Sequence, residues 1–365
     1  LGSKFSIKAL LTLFLIPGIG ASRMRLLISC FKTPQSVLEA SARELCQVEG
    51  IDKITAEKIK KGPAPDLLEV QLKHLENSEN KIITFWDSSY PDNLKRIFDP
   101  PAFLFARGDL SLLKTPSVGI VGTRVPTEYG KTITEKITRE LVRNGITVVS
   151  GFARGVDSIV HKTALDAGGK TIAVLGNGLD VVYPAENKKL IPSFAKGGLI
   201  LSEYPFSTKP DACNFPKRNR IISGLSSGIL VTEAAERSGA LLTAMYALDQ
   251  NREVFALPGP VNSPKSAGPH NLIKQGAKLV QNVEDILTEL AGQFHFDQTV
   301  KNEITEPHLK QKEKAVYDLI QHEGMHIDQI AFKCGMSTSE TLTVLLTLEL
   351  MGVVRQMAGK MFVRL

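Results

Sequence analysis

Ser117-Val-Gly-Ile-Val-Gly-Thr-Arg124 opens the run that decides the fold; it continues through Ser150-Gly-Phe-Ala-Arg-Gly-Val-Asp157 and Asn214-Phe-Pro-Lys-Arg-Asn-Arg220 and ends at Pro258. Each segment is a short apolar, β-rich run, then a turn bearing Gly, Ser, Thr or Arg, then a helical pattern. Candidate strands fall at 118–122, 146–150, 171–176, 198–202, 228–232 and 253–257, with helical patterns over 127–143, 156–167, 186–196, 217–224, 239–250 and 269–276. Strands that alternate with helices pair in parallel through right-handed crossovers. The runs Val118-Gly-Ile-Val121 and Ile172-Ala-Val-Leu175 are almost continuously apolar, as strands covered on both faces should be. The pattern predicts an α/β fold: a Rossmann-like, doubly wound, mostly parallel sheet whose strand ends and helix N-termini face one crevice.

The turns say what that crevice suits. Gly119-Ile-Val-Gly-Thr-Arg124 lacks the full G-x-G-x-x-G spacing, and no acidic residue closes the following strand, so no dinucleotide cofactor is expected. Gly122 and Thr123 still place free N–H groups at a strand end, and Arg124 adds a fixed positive fork suited to phosphate. Gly151-Phe-Ala-Arg-Gly155 repeats the device with Arg154, and Asp157 then falls where it favours the next helix's dipole. In Asn214–Arg220, three cations (Lys217, Arg218 and Arg220) and the amide of Asn219 follow the aromatic Phe215, at a helix entry expected just past Pro216. A ring that stacks a base beside cations that hold the backbone suits single-stranded nucleic acid.

The flanks are of other kinds. Lys4 and Lys8 precede the apolar Ala9–Ile16, which ends at Pro17-Gly-Ile-Gly20 with no A-x-A-like site; a short buried helix is expected there rather than a signal peptide. Ile16-Pro-Gly-Ile-Gly-Ala-Ser22, with a looser copy at Val48-Glu-Gly-Ile51, has the form of a helix-hairpin-helix. Lys61-Gly-Pro-Ala-Pro65 marks a boundary region, and the polar stretch 292–312 reads as a linker. Three helical patterns at 313–321, 326–334 and 338–351, with a two-stranded wing over 353–364, predict a winged helix. The expected divisions are therefore 1–78, 79–291, the linker 292–312, and 313–365. The presumed recognition helix, Ser337–Glu349, holds no Lys or Arg and two Glu, so a protein-contact or stabilising role is expected rather than major-groove reading. His322-Glu-Gly-Met-His326 matches the zinc-protease motif, but Gly324 falls at a helix break and no third ligand is evident.

A net charge of +6 permits a polyanionic partner without demanding one. Cys30, Cys46, Cys213 and Cys334 are far apart and form no C-x-x-C pair, so neither a disulfide framework nor a zinc knuckle is indicated, which fits a reducing cytoplasm.

The succession G-T-R, S-G-x-A-x-G-V-D, A-V-L-G-x-G, Glu203-Tyr-Pro205, N-F-P-x-R-N-R-I-I-S-G-L-S, T-E-A with S-G-A-L-x-T-A, and A-L-P-G resembles the DNA-processing protein A family (DprA, also called Smf). The resemblance implies a core that binds single-stranded DNA, forms a homodimer and loads the RecA recombinase during natural transformation, with no catalysis. It assigns the DNA pocket to Arg124, Phe215, Arg218 and Arg220, with Lys209 as a further basic contact, and gives Gly151, Ala153, Gly155 and Asp157 the shaping of that pocket. Lys217 stands at a variable position, so its part rests on local charge alone. On this reading Arg124→Ala and Arg218→Ala each weaken oligo-dT binding and lower its salt dependence. The competing class is a nucleoside monophosphate phosphoribohydrolase working through Glu233, but the chain lacks a P-G-G-x-G-T segment. Glu203 and Glu233 are therefore expected to orient turns or pocket arginines.

Overall fold

The computed structural model describes residues 5–292, 311–320, 324–351, 353–357 and 359–364. Lys4, His322, Glu323 and nearly all of the expected linker lie outside the described residues. The chain divides into two compact units, residues 1–296 and 297–365.

In the first unit nine strands form one sheet: β1 (Asn80–Thr84), β2 (Phe103–Gly108), β3 (Ser117–Val121), β4 (Thr147–Ser150), β5 (Thr171–Leu175), β6 (Gly198–Ser202), β7 (Gly228–Val231), β8 (Glu253–Ala256) and β9 (Lys278–Leu279). Their order is β1-β2-β6-β5-β4-β3-β7-β8-β9. From β6 to β9 every pairing is parallel, and β1 and β2 add an antiparallel edge. The chain walks from β3 out to β6, then returns to lay β7 on the other side of β3. Such a reversal opens a crevice at the carboxyl ends of the two strands.

Alternation along each strand feeds separate cores. Val121, Ile172, Val174, Ile229 and Val231 enter one cluster, while Val118, Ile120, Val148 and Leu230 face the opposite side. On that second side the sheet around β2, β5 and β6 is covered by the N-terminal helices. Leu10, Leu11, Met24 and Leu27 share a core with Phe103, Phe105, Ala173 and Leu175, and the Phe14 and Phe103 rings meet edge-on at 4.3 Å. The helical N-terminus is thus built into the sheet's packing.

That N-terminus is a tandem of helical hairpins. The helix Ile7–Phe14 buries Ala9, Leu10, Leu11 and Leu13 and stops ahead of Pro17. The turn at Gly18 leads into Ala21–Phe31, and the second hairpin enters Lys53–Lys61, whose N-terminus is capped by Asp52 accepting from the Thr55 N–H at 2.7 Å. Trp86 packs edge-on against Phe5 and Phe85.

Local departures from the sequence expectation have local causes. The helix predicted from 217 begins at Asn214, so Phe215 and Pro216 lie in its first turn, where a missing proline N–H costs nothing. The helix expected over 186–196 is a 3₁₀ segment, Ala185–Leu190, followed by Ile191–Gly197, with Pro192 in the first turn of the second piece. Strand β9 spans only Lys278–Leu279, too short for a periodic signal.

The second unit carries helices Gln311–Leu319, Ile327–Cys334 and Thr338–Leu350 with strands β10 (Met325–His326), β11 (Val354–Met357) and β12 (Met361–Arg364), a winged helix. His326 lies on β10 and accepts from the Asp328 N–H at the next helix's start, whereas a zinc-protease motif needs both histidines on one helix face. On Thr338–Leu350 the exposed side chains include Leu342 and Leu346, and the helix carries no cation.

Candidate nucleic-acid interface

Four strand ends build the crevice. After β3, Gly122, Thr123 and Arg124 form a turn pinned from β7: the Thr123 N–H donates to the Glu233 carbonyl at 2.7 Å. The Glu233 carboxylate, buried at 3 % exposure, accepts from the Thr127 N–H at 2.8 Å and the Thr127 hydroxyl at 2.5 Å. Thr127 in turn caps the helix Glu128–Arg143. Glu233 therefore braces the Arg124 turn, and both of its oxygens are occupied in doing so.

The turn after β4 locks onto the first. Gly155 has φ +76°, and a Cβ there would stand 2.4 Å from the Thr123 carbonyl oxygen, so no other residue fits without moving both turns. The Val156 N–H donates to that same carbonyl at 3.2 Å. Phe152 holds φ 58°, a strained position for an aromatic residue, with its ring buried against Phe194 and His161. Arg154 projects into solvent and pairs with Glu186 at 2.6 Å; both side chains are more than half exposed, so the pair is screened by water and holds the arginine only weakly.

His161 is fully buried, with Nδ1 at 2.8 Å from the Thr171 hydroxyl, and burial holds its imidazole down to about 3 from the ordinary 6.5. The unfolded chain takes up this proton first. Its contribution to stability is thus complete above about pH 6.5 and is lost as the pH falls toward 3. His161→Gln is expected to flatten the pH dependence of the urea midpoint within that window.

The helix Asn214–Leu225 distributes its polar side chains over different surroundings. The half-buried Phe215 ring stands against Gly176, where a Cβ would come within 2.8 Å of it, and meets Tyr183 at 5.7 Å. The Arg124 guanidinium lies over the ring, 5.8 Å from its centroid. Arg218 is only 4 % exposed, and its Nη1 donates to the main-chain carbonyls of Gly151 and Val174. A Cβ on Gly151 would stand 2.6 Å from that guanidinium, so glycine there is space for Arg218. Burial lowers Arg218 to about 10, still charged at neutral pH, with Asp157 opposing the shift. Burial likewise raises Asp157, which Arg218 and the Ala153 N–H, donating at 3.2 Å, draw back down. Arg220 turns to another flank, its Nη2 donating to both carboxylate oxygens of Glu203 at 2.7 and 2.8 Å.

The fourth contribution follows β7. Ser238 caps the helix Gly239–Asp249, whose N-terminus opens on the crevice beside the exposed Arg237. The resulting cleft encloses about 740 Å³ between Gly122–Arg124, Phe215, Asn219 and Arg237, and a smaller recess of about 240 Å³ adjoins it at Gly151, Arg154 and Tyr183.

The sequence-predicted residues therefore separate. Gly122, Thr123, Arg124, Ala153, Phe215 and Asn219 wall the crevice, and Gly151 and Arg154 wall the recess. Gly155 lies behind the wall as the contact between turns, and Arg218 sits in the floor, 4 % exposed and bonded to two main-chain carbonyls. Lys217 and Arg220 line a different recess with Phe98 and Tyr246. Lys209 is exposed on the segment that brings Pro210 to the crevice. Arg237 and Tyr183 were not read from the sequence; the place of Arg237 directly after the β7 switch strand was the available signal. Arg124, Lys209 and Arg237 have no ion-pair partner among the described residues, and no cluster of His, Cys, Asp and Glu there could hold a metal.

Residues 81–291 match the family model described as DNA recombination-mediator protein A. The chain belongs to this family. A DprA winged-helix model matches residues 302–360, and a SAM-like helix-hairpin-helix tandem matches 8–62. Protein Smf of a Synechocystis strain is 37% identical over 96% of both chains, and Protein Smf of Escherichia coli is 41% identical over 80% of this chain and 79% of its own. The solved DNA processing protein A of Streptococcus pneumoniae superposes with a TM-score of 0.68 at 35% identity, covering 78% of this chain and 96% of that one. A structure of DNA processing protein A from Helicobacter pylori, solved for its single-stranded DNA binding mode, gives 0.54 at 35% identity over 60% of this chain and 98% of that one. The DprA-family core thus coincides with the sheet and crevice, and the two flanking models coincide with the hairpins and the winged helix. No helix among the described residues is long and apolar enough to cross a membrane.

Proposed function

We propose that the crevice binds single-stranded DNA without chemistry, and that the chain, as a cytoplasmic homodimer, hands the strand to a RecA recombinase. The observation that carries the DNA reading is the Arg124 guanidinium over the Phe215 ring at the mouth of a cleft where Arg237 also has no ion-pair partner among the described residues. Cations beside an aromatic ring at a cleft hold a backbone while a base stacks, and every base has a face to offer. The helix N-terminus at Gly239 adds N–H groups for phosphate. Transfer to RecA and the homodimer rest on membership of the DprA family. The non-enzymatic reading is supported by Glu233, whose two oxygens are engaged by Thr127 instead of being offered to a ribose.

Mobility shifts with oligo-dT and with duplex of equal length, each with and without a RecA recombinase, test the reading. Preference for the single strand and faster recombinase assembly on it are expected. Equal binding of duplex would overturn the DNA assignment, and an unchanged assembly rate would overturn the transfer step. Base release from nucleoside monophosphates would overturn the non-enzymatic reading.

A further inference from the structure

The helix that presents Phe215 to the crevice is held on its far flank by a chain of charges that begins in the N-terminal hairpins. Arg25, on the helix Ala21–Phe31, donates to the Pro100 carbonyl and stands 3.3 Å from the Asp99 carboxylate. Asp99 lies 3.7 Å from Nη2 of Arg220, and the same nitrogen donates to both oxygens of Glu203 at 2.7 and 2.8 Å. Arg25, Arg220 and Glu203 have side chains only 17%, 13% and 14% exposed, while the Asp99 side chain that links them is 44% exposed and so partly screened by water. The two cations and two carboxylates balance while all four are present.

Two carboxylates compete for Arg220. Glu203 stands just past β6 and holds the Asn214–Leu225 helix to the sheet; Asp99 belongs to the segment between β1 and β2. Arg25 takes Oδ1 of Asp99, while Oδ2 stands farther from Arg220, at 3.7 Å, than the Glu203 oxygens do. Arg25 itself lines neither the crevice nor its recess, and the neighbouring Arg23 is spent on the Gly18 carbonyl at 2.8 Å.

We propose that Arg25 is a positioning residue for DNA binding: by neutralising Asp99 it keeps Arg220 on Glu203 and the Phe215 helix in register with the crevice. The N-terminal hairpins then act on the bound strand through this ionic chain, with no phosphate contact of their own at Arg25. The proposal rests on the single-stranded DNA reading above.

The test uses the full chain and oligo-dT over a range of salt concentrations, with wild type, Arg25→Ala, Asp99→Asn and the double variant. Arg25→Ala is expected to weaken binding about three- to tenfold with the salt slope unchanged. The double variant is expected to return within about twofold of wild type, because Asp99 no longer draws on Arg220. Arg25→Lys should rescue in part. A double variant as weak as Arg25→Ala would reduce Arg25 to a stability role and overturn the proposal. A salt slope lowered in Arg25→Ala would make it a direct contact, with the same result. Wild-type affinity in Arg25→Ala also overturns it while leaving the DNA reading standing; failure of the wild type to bind removes both.

Discussion

Arg218→Ala is expected to destabilise the first unit by about 3–5 kcal/mol, because it strands a buried charge and two buried acceptors at once. The guanidinium joins the Gly151 and Val174 carbonyls, hence the ends of β4 and β5, to the helix that carries Phe215. Its loss also leaves Asp157 buried without the cation that offsets its burial. Urea unfolding should show a much lower midpoint. At temperatures where the variant stays folded, the salt slope of oligo-dT binding should match wild type, since no phosphate contact is removed. A lowered slope with normal stability would return Arg218 to the DNA-contacting role that its motif implies.

Arg124→Ala and Phe215→Ala should behave in the opposite way. Arg124 is exposed and its guanidinium lies over the Phe215 ring, so truncation should leave the urea midpoint nearly unchanged. Its loss should lower the salt slope of oligo-dT binding by about 0.7, one single-strand phosphate contact. Phe215→Ala should cost about 1–3 kcal/mol of binding, on the order of ten- to a hundredfold, with the slope kept, because stacking releases no counterions. Isothermal titration at several salt concentrations separates the two. Equal slopes for wild type and Arg124→Ala would remove that arginine from the interface.

The fold was legible because its signal is periodic. Apolar runs at β3, β5 and β7 with helical patterns between them specify a covered parallel sheet whatever the side chains do in detail. The site was legible only as far as the backbone decides it: Gly122, Thr123 and Gly155 are fixed by strand ends and turn geometry. The arginines were not. Arg218 and Arg220 are two positions apart on one helix, and a rotation of about 200° between them sends one to the floor and the other to a separate flank. Local charge clustering cannot distinguish an arginine satisfied by carbonyls from one that waits for phosphate. Arg237 escaped notice for the converse reason, standing alone in its sequence neighbourhood and joining Arg124 only through the β3–β7 pairing.

The central claim is that a single strand lies in the crevice at the ends of β3, β4 and β7. Photocrosslinking of an iododeoxyuridine-substituted oligo-dT to the full chain, followed by peptide mapping, tests it most directly. Crosslinks are predicted on the peptides holding Phe215 and Tyr183, abolished by excess unlabelled oligo-dT. Crosslinks confined to the helical hairpins or to the winged helix, with none at Phe215 or Tyr183, would contradict it.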